Sequence, residues 1–150
     1  YTSAEGRQEL LDGLAEAVDR LGFALAALGA AYEQLDERNA DRLEEELFGP
    51  VQLSYGHAKA AHAGFASRHG LVSPAFAVPE PGAPSTGARG FIDAAVDAAA
   101  EADAGLSALQ DSPVWTEVGD QELRAAVAGV RERLAGVRGR ARELERTLGR

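Results

Sequence analysis

The stretch QELRAAVAGVRERLAGVRGRARELERTL, running from Gln121 to Leu148, decides the fold. Its apolar residues Leu123, Val127, Val130, Leu134, Val137, Ala141, Leu144 and Leu148 advance in steps of four and three without a miss. That rhythm lays one apolar stripe along a helix and leaves the other faces to charge. The spacing predicts a helix over residues 120–149, opened by Gly119 or Asp120, with Glu122 placed for a capping box. An amphipathic helix has to bury its stripe against other elements, so the rest of the chain must supply partners.

Three other segments supply them. Upstream, Ile92, Ala95, Ala99, Ala102, Leu106 and Leu109 repeat the rhythm, which predicts a helix over 86–111 starting at Ser85 or Thr86. Asp111-Ser112-Pro113 ends it, and Pro113 opens a short turn that holds Trp115. At the other end of the chain, Leu11, Leu14, Val18, Leu21, Leu25, Leu28, Tyr32 and Leu35 share one stripe, flanked by Ala17, Ala24 and Ala31 and by Ala15, Gly22 and Gly29. These small residues permit a neighbouring helix to approach closely. After Leu35 the rhythm slips to Ala40, Leu43 and Leu47, the mark of a stutter or of a new helix capped by Asn39. The prediction is a helix over 4–48 with a bend near 37–41, ended by Gly49-Pro50. A further helix then spans 51–69 on Val51, Tyr55, Ala58, His62 and Phe65, closed by Arg68-His69-Gly70.

Between the second and third helices, Pro74, Pro79, Pro81 and Pro84 exclude regular structure. Leu71, Val72, Phe76 and Val78 require cover, so this connection is expected to lie along a groove or across an end. The expected architecture is one all-α domain over 1–150, an antiparallel four-helix bundle with a long Pro-rich connection between helices 2 and 3.

Composition narrows the function. The 150 residues carry 15 Lys+Arg against 24 Asp+Glu, a net charge of −9, and no Cys. Thiolate metal sites, disulfides and cysteine nucleophiles are excluded together. The acidic balance argues against nucleic acid, and no apolar run reaches the ~20 residues of a membrane span. Of the eight arginines of 121–150, Arg124, Arg131 and Arg138 flank the apolar seam on one side and Arg133 and Arg140 on the other, with no aromatic in the segment, which suits pairing with neighbouring helices rather than phosphate contacts. Residues 1–48 hold four arginines against twelve acids, a net −8, and 86–111 hold one against five, a net −4. The basic last helix, net +4, is therefore expected to lie between acidic neighbours. Tyr1-Thr2-Ser3 does not begin a secretory leader. The cytoplasm is the expected compartment, although a leader already removed is compatible with the same sequence.

No phosphate loop, nucleophile elbow or zinc-protease motif is present. Of the three histidines, His57 and His62 diverge around their helix, while His62 and His69 stand ~10.5 Å apart along it, too far for one ion. The residues three before each histidine are Ser54, Lys59 and Ala66, so the Glu-x-x-His pairs of a di-iron bundle are missing. Asp93, Asp97 and Glu101 form an acidic stripe that suits a solvated face or a partner for the arginine-rich helix. No catalytic, cofactor or metal-binding residue is therefore assigned.

The span from Leu21 to Tyr32 holds no charged residue, and Phe23, Ala26 and Ala30 lie off the leucine stripe. They form a candidate interface, covered within the chain or by a protein partner such as a second copy. The leading expectation is a non-enzymatic protein acting by protein–protein or self-association. The alternative is a small-ligand or metal-binding bundle whose pocket is lined by Tyr55, His62 and Phe65 with the 70–85 connection.

Overall fold

A computed structural model describes residues 1–82 and 87–148. The chain is all-helical, with no strand among the described residues. In order come α1 (Ser3–Glu33), α2 (Glu37–Leu43), a π-helical turn (Glu44–Phe48), α3 (Gly49–Arg68), α4 (Gly87–Asp111), α5 (Pro113–Val118), α6 (Gln121–Leu134) and α7 (Val137–Leu148). α1 packs against both α3 and α4, α3 against α6, and α4 against α6 and α7. No described helix is long and apolar enough to cross a membrane.

The predicted first helix is two. α1 stops at Glu33, and Asp36 rather than Asn39 opens α2, its carboxylate accepting from the Asn39 N–H at 2.8 Å. An Asp in extended conformation offers that cap, and it moves the break ahead of the expected 37–41. Gly49-Pro50, expected to end a helix, interrupts nothing: α2, the π turn and α3 run on as one helical rod. Pro50 has no N–H for the Glu46 carbonyl four residues earlier, and its ring crowds that carbonyl. The wider π turn opens space there, and Arg140 Nε from α7 donates to the Glu46 oxygen at 2.8 Å. The slipped rhythm of Leu43, Leu47 and Val51 is accommodated by this turn, and all three side chains are buried.

The seam that decides the fold is in the core from Leu123 to Leu144, with Leu148 at its edge. Its helix is interrupted, however, since α6 ends at Leu134 and α7 begins at Val137. Gly136 lies in the interruption, where an added Cβ would crowd Arg140 Nη1, so glycine leaves the guanidinium its route to Glu46. Asp120 caps α6 by accepting from the Leu123 N–H at 2.8 Å. Glu122, expected in a capping box, turns instead toward Arg68 at 3.8 Å.

α1 departs from its leucine stripe in its second half. Leu11, Leu14, Val18, Leu21 and Leu28 are buried, but Leu25 is half-buried and Tyr32 is 38% exposed. Burial there passes to Ala24, Ala27 and Ala31, while α4 buries Ala95, Ala98, Ala99 and Ala102. Methyl-sized side chains let the two backbones close together, and the alanine face outcompetes the leucine edge.

α3 ends as predicted. Gly70 adopts φ +66°, and the Leu71 N–H returns to the Ala66 carbonyl at 2.8 Å. The connection then doubles back. Ser73 and Phe76 stand at His62 of α3, while Pro79 lies over Gly22 and lines a groove with Phe23 of α1 and Ala94 of α4. It thus passes from α3 over α1 toward α4. Leu71 and Phe76 find the expected cover, but Val72 and Val78 remain 83% and 59% exposed, outside the groove. The expected helix start at Ser85 or Thr86, the proline at 84 and the last residue of the predicted 120–149 helix lie outside the described residues.

α7 lies against the acidic π turn and α2 on one side and against acidic α4 on the other. Arg131 joins Asp103 at 2.8 Å, and Arg138 approaches Asp97 at 3.9 Å. The basic helix therefore has acidic neighbours, but the acid on one side comes from 37–48 rather than from α1.

Candidate functional site

The residues of the expected pocket come together, but as packed core. Phe65, His62 and Tyr55 lie along α3, 0%, 3% and 7% exposed. His62 Nδ1 is 2.6 Å from Ser73 Oγ, and the Phe76 ring meets it edge-on at 5.2 Å. Burial lowers the His62 pKa below the ordinary imidazole value, against opposing pulls from Leu11 and from the Asp12 carboxylate. The Tyr55 ring sits against Gly22 on one side and under Lys59 Nζ, 4.4 Å from its centroid. Ser73 was not singled out from the sequence, because nothing local marks it as a partner of a residue eleven positions away.

Two polar clusters join helices. Asp120 accepts from Arg68 at 2.7 and 3.0 Å, lies 3.0 Å from His69 Nε2, and caps α6. Burial acts to raise its pKa, but the bonds from Arg68, the Leu123 N–H and His69 prevail and hold the carboxyl below the usual range. Across α4 and α7, Glu145 is pushed up to about 7 by burial and by a hydrogen bond to Asp93, with Arg89 opposing. Of the acidic stripe on α4, Asp93 thus meets a carboxyl, Asp97 an arginine of α7, and Glu101 Arg20 of α1 at 3.0 Å. Among the described residues, no three His, Asp or Glu side chains gather closely enough to hold a metal ion.

The outward arc of α1 carries a second regular pattern. Glu5, Glu9, Asp12, Glu16 and Asp19 are exposed and advance by four and three. The same steps continue to Phe23, Ala26 and Ala30, the candidate interface, all half-buried. One helical line therefore changes from carboxylate to apolar at Phe23. That change follows from spacing alone, although only its apolar part stood out in the sequence.

At the change the surface is concave. Phe23, Ala94, Ala98 and Pro79 line a groove of about 390 Å³ between α1 and α4, edged by Asp19, Arg20, Asp97 and Glu101. Asp97 and Glu101 are 70% and 62% exposed, so their charges face solvent across the groove. A second depression of about 490 Å³ lies between α3 and α6, floored by Ala60, Ala61, Ala125, Ala126 and Gly129. Its basic groups are engaged within the chain, Arg68 by Asp120 and Arg133 by the Gly129 carbonyl.

No protein-family model matches the chain, and no curated protein or solved structure matches it.

Proposed function

We propose that this chain is a non-enzymatic antiparallel four-helix bundle that works by protein association through the outer face of α1. The observation that carries this reading is the unbroken line from Glu5 to Ala30, whose apolar end opens into the α1–α4 groove. A helix face at heptad spacing is the form in which helices recognise one another. The histidines add support in a negative sense: His62 and His69 serve as internal ties, leaving His57 alone on the surface.

The reading is tested with a photo-crosslinking residue at Phe23 and a control at Val72, alongside light scattering of the isolated protein over a concentration series. A discrete cross-linked species from position 23 and none from 72, or a defined oligomer that Phe23→Glu dissolves, is the expected result. A strict monomer with no cross-link from position 23 in native extract overturns it.

A further inference from the structure

The α1–α4 groove carries three carboxylates and one arginine at its edges, and that narrows what it can hold. Asp19 and Arg20 stand on one wall and Asp97 and Glu101 on the other; Arg20 joins Glu101 and Arg138 approaches Asp97, so Asp19 is the carboxylate that continues the acidic line of α1. Below Asp19, the exposed carboxylates of Glu16, Asp12, Glu9 and Glu5 extend the same sign along α1. At 1.5 Å per residue, the line from Glu5 to Ala30 runs ~37 Å, the length of a helix of about 25 residues.

A second copy meeting this face through its own α1 is unfavourable in either direction. Parallel α1 helices would set five carboxylates against five, adding repulsion in a chain of net charge −9. Antiparallel helices would lay Glu5–Asp19 on Phe23, Ala26 and Ala30, stripping water from carboxylates with nothing to pair them. Apart from Arg7 and Arg20 the chain's arginines lie outside α1, seven of them on α6 and α7, which pack against α3, α4 and the π turn. A copy docking α7 onto α1 would have to draw arginines of α6 and α7 from the partners they hold within the chain, Asp103, Asp97 and the Glu46 carbonyl.

Resting on the association reading above, we propose that the groove and its acidic line dock a basic amphipathic helix of a partner protein. An apolar side chain of the partner seats on Phe23 and Ala98, and its arginines or lysines run along Glu5, Glu9, Asp12, Glu16 and Asp19. Apolar contact at the groove holds the partner, and the charges set its direction and hasten its arrival. The partner's basic end points toward Glu5.

The test uses two fluorescent synthetic helices of about 22 residues, one of Leu and Arg and one of Leu and Glu, with anisotropy as the readout. The Leu/Arg helix should bind, the Leu/Glu helix should not, and added salt should weaken binding severalfold. Glu9→Lys/Glu16→Lys/Asp19→Lys should weaken it about tenfold or more, the sum of three lost surface pairs. The control Glu37→Lys/Asp41→Lys/Glu45→Lys makes the same change in charge on another exposed surface and should weaken binding less than about threefold. Phe23→Ala, with helix content unchanged by circular dichroism, should also weaken it.

Equal losses in the two triple variants, equal binding of the two peptides, or no binding of the Leu/Arg peptide overturns the proposal. A concentration-dependent dimer abolished by the α1 triple variant overturns it in favour of a second copy. A cross-link from position 23 without Leu/Arg binding sinks this inference while leaving the association reading in place. Absence of both a cross-link and an oligomer sinks that reading instead.

Discussion

Arg140 Nε donates a 2.8 Å hydrogen bond to the main-chain carbonyl of Glu46, across 94 positions of sequence. That carbonyl has no α-helical donor because the residue four ahead is Pro50. The π turn makes the proline sterically tolerable, and α7 supplies the missing proton donor.

Arg140→Ala should therefore destabilise the protein by about 1–2 kcal/mol, the range for a part-buried charged hydrogen bond. In a Pro50→Ala background, where the main-chain N–H returns, the same change should be smaller by about 0.5–1 kcal/mol. Urea unfolding of the four proteins in this cycle measures the coupling. Equal losses in both backgrounds would sever Arg140 from Pro50.

Asp120 joins α3 to α6 through Arg68 and His69 while capping its own helix. Its pKa is held below the unfolded value. Its contribution is thus present above the ordinary Asp pKa and is lost as pH falls below it. Asp120→Ala should cost about 2–3 kcal/mol at neutral pH from lost cap and ion pair together. The penalty should shrink in acid, as read from urea midpoints between about pH 2 and 7.

His62 and Glu145 act in opposite senses over neighbouring pH ranges. The lowered pKa of His62 favours the fold when the ring is neutral, so that term fades as pH falls below the unfolded value of 6.5. Glu145 titrates at about 7 instead of 4.5, so the folded chain holds an extra proton between these values and loses stability as pH rises through them. The two slopes oppose each other near pH 6. Glu145→Gln should expose a stability that rises toward pH 7, and His62→Gln one that falls. A variant whose slope matches the parent's would show that its residue does not titrate as described.

Gly22 receives the Tyr55 ring and Pro79, with an added Cβ 3.3 Å from one and 3.4 Å from the other. Better helix propensity favours Gly22→Ala by ~1 kcal/mol, while crowding between two packed rings opposes it. Gly22→Val adds bulk without that propensity gain and should cost about 2 kcal/mol or more. Gly29, whose Cβ position meets nothing within 4 Å, should accept alanine with a gain. Thermal unfolding of the three variants decides it.

Much of this fold is legible in apolar spacing. The α6–α7 seam and the α4 set Ile92, Ala95, Ala99, Ala102, Leu106 and Leu109 are buried as read. What was not legible depends on partners distant in sequence. The π turn ahead of Gly49-Pro50 has its Glu46 carbonyl met by Arg140, and His62 meets Ser73. Leu25 and Tyr32 read as seam because their spacing is right, but the alanine face drew the neighbouring helix instead. At the candidate site, Phe23, Ala26 and Ala30 stood out from the sequence, whereas the groove beside them depends on α4 and Pro79.

The alanine-rich faces that α1 and α4 bury have a consequence for how this protein orders itself. A buried alanine has no rotamers to surrender, so this seam forms with little loss of side-chain entropy beyond the backbone's own. Uniform methyl groups set the spacing of α1 and α4 and leave their register to larger contacts, Leu109 against Gly13 and Arg20 with Glu101, so a bulky residue in the seam would spread the helices and reshape the groove between them.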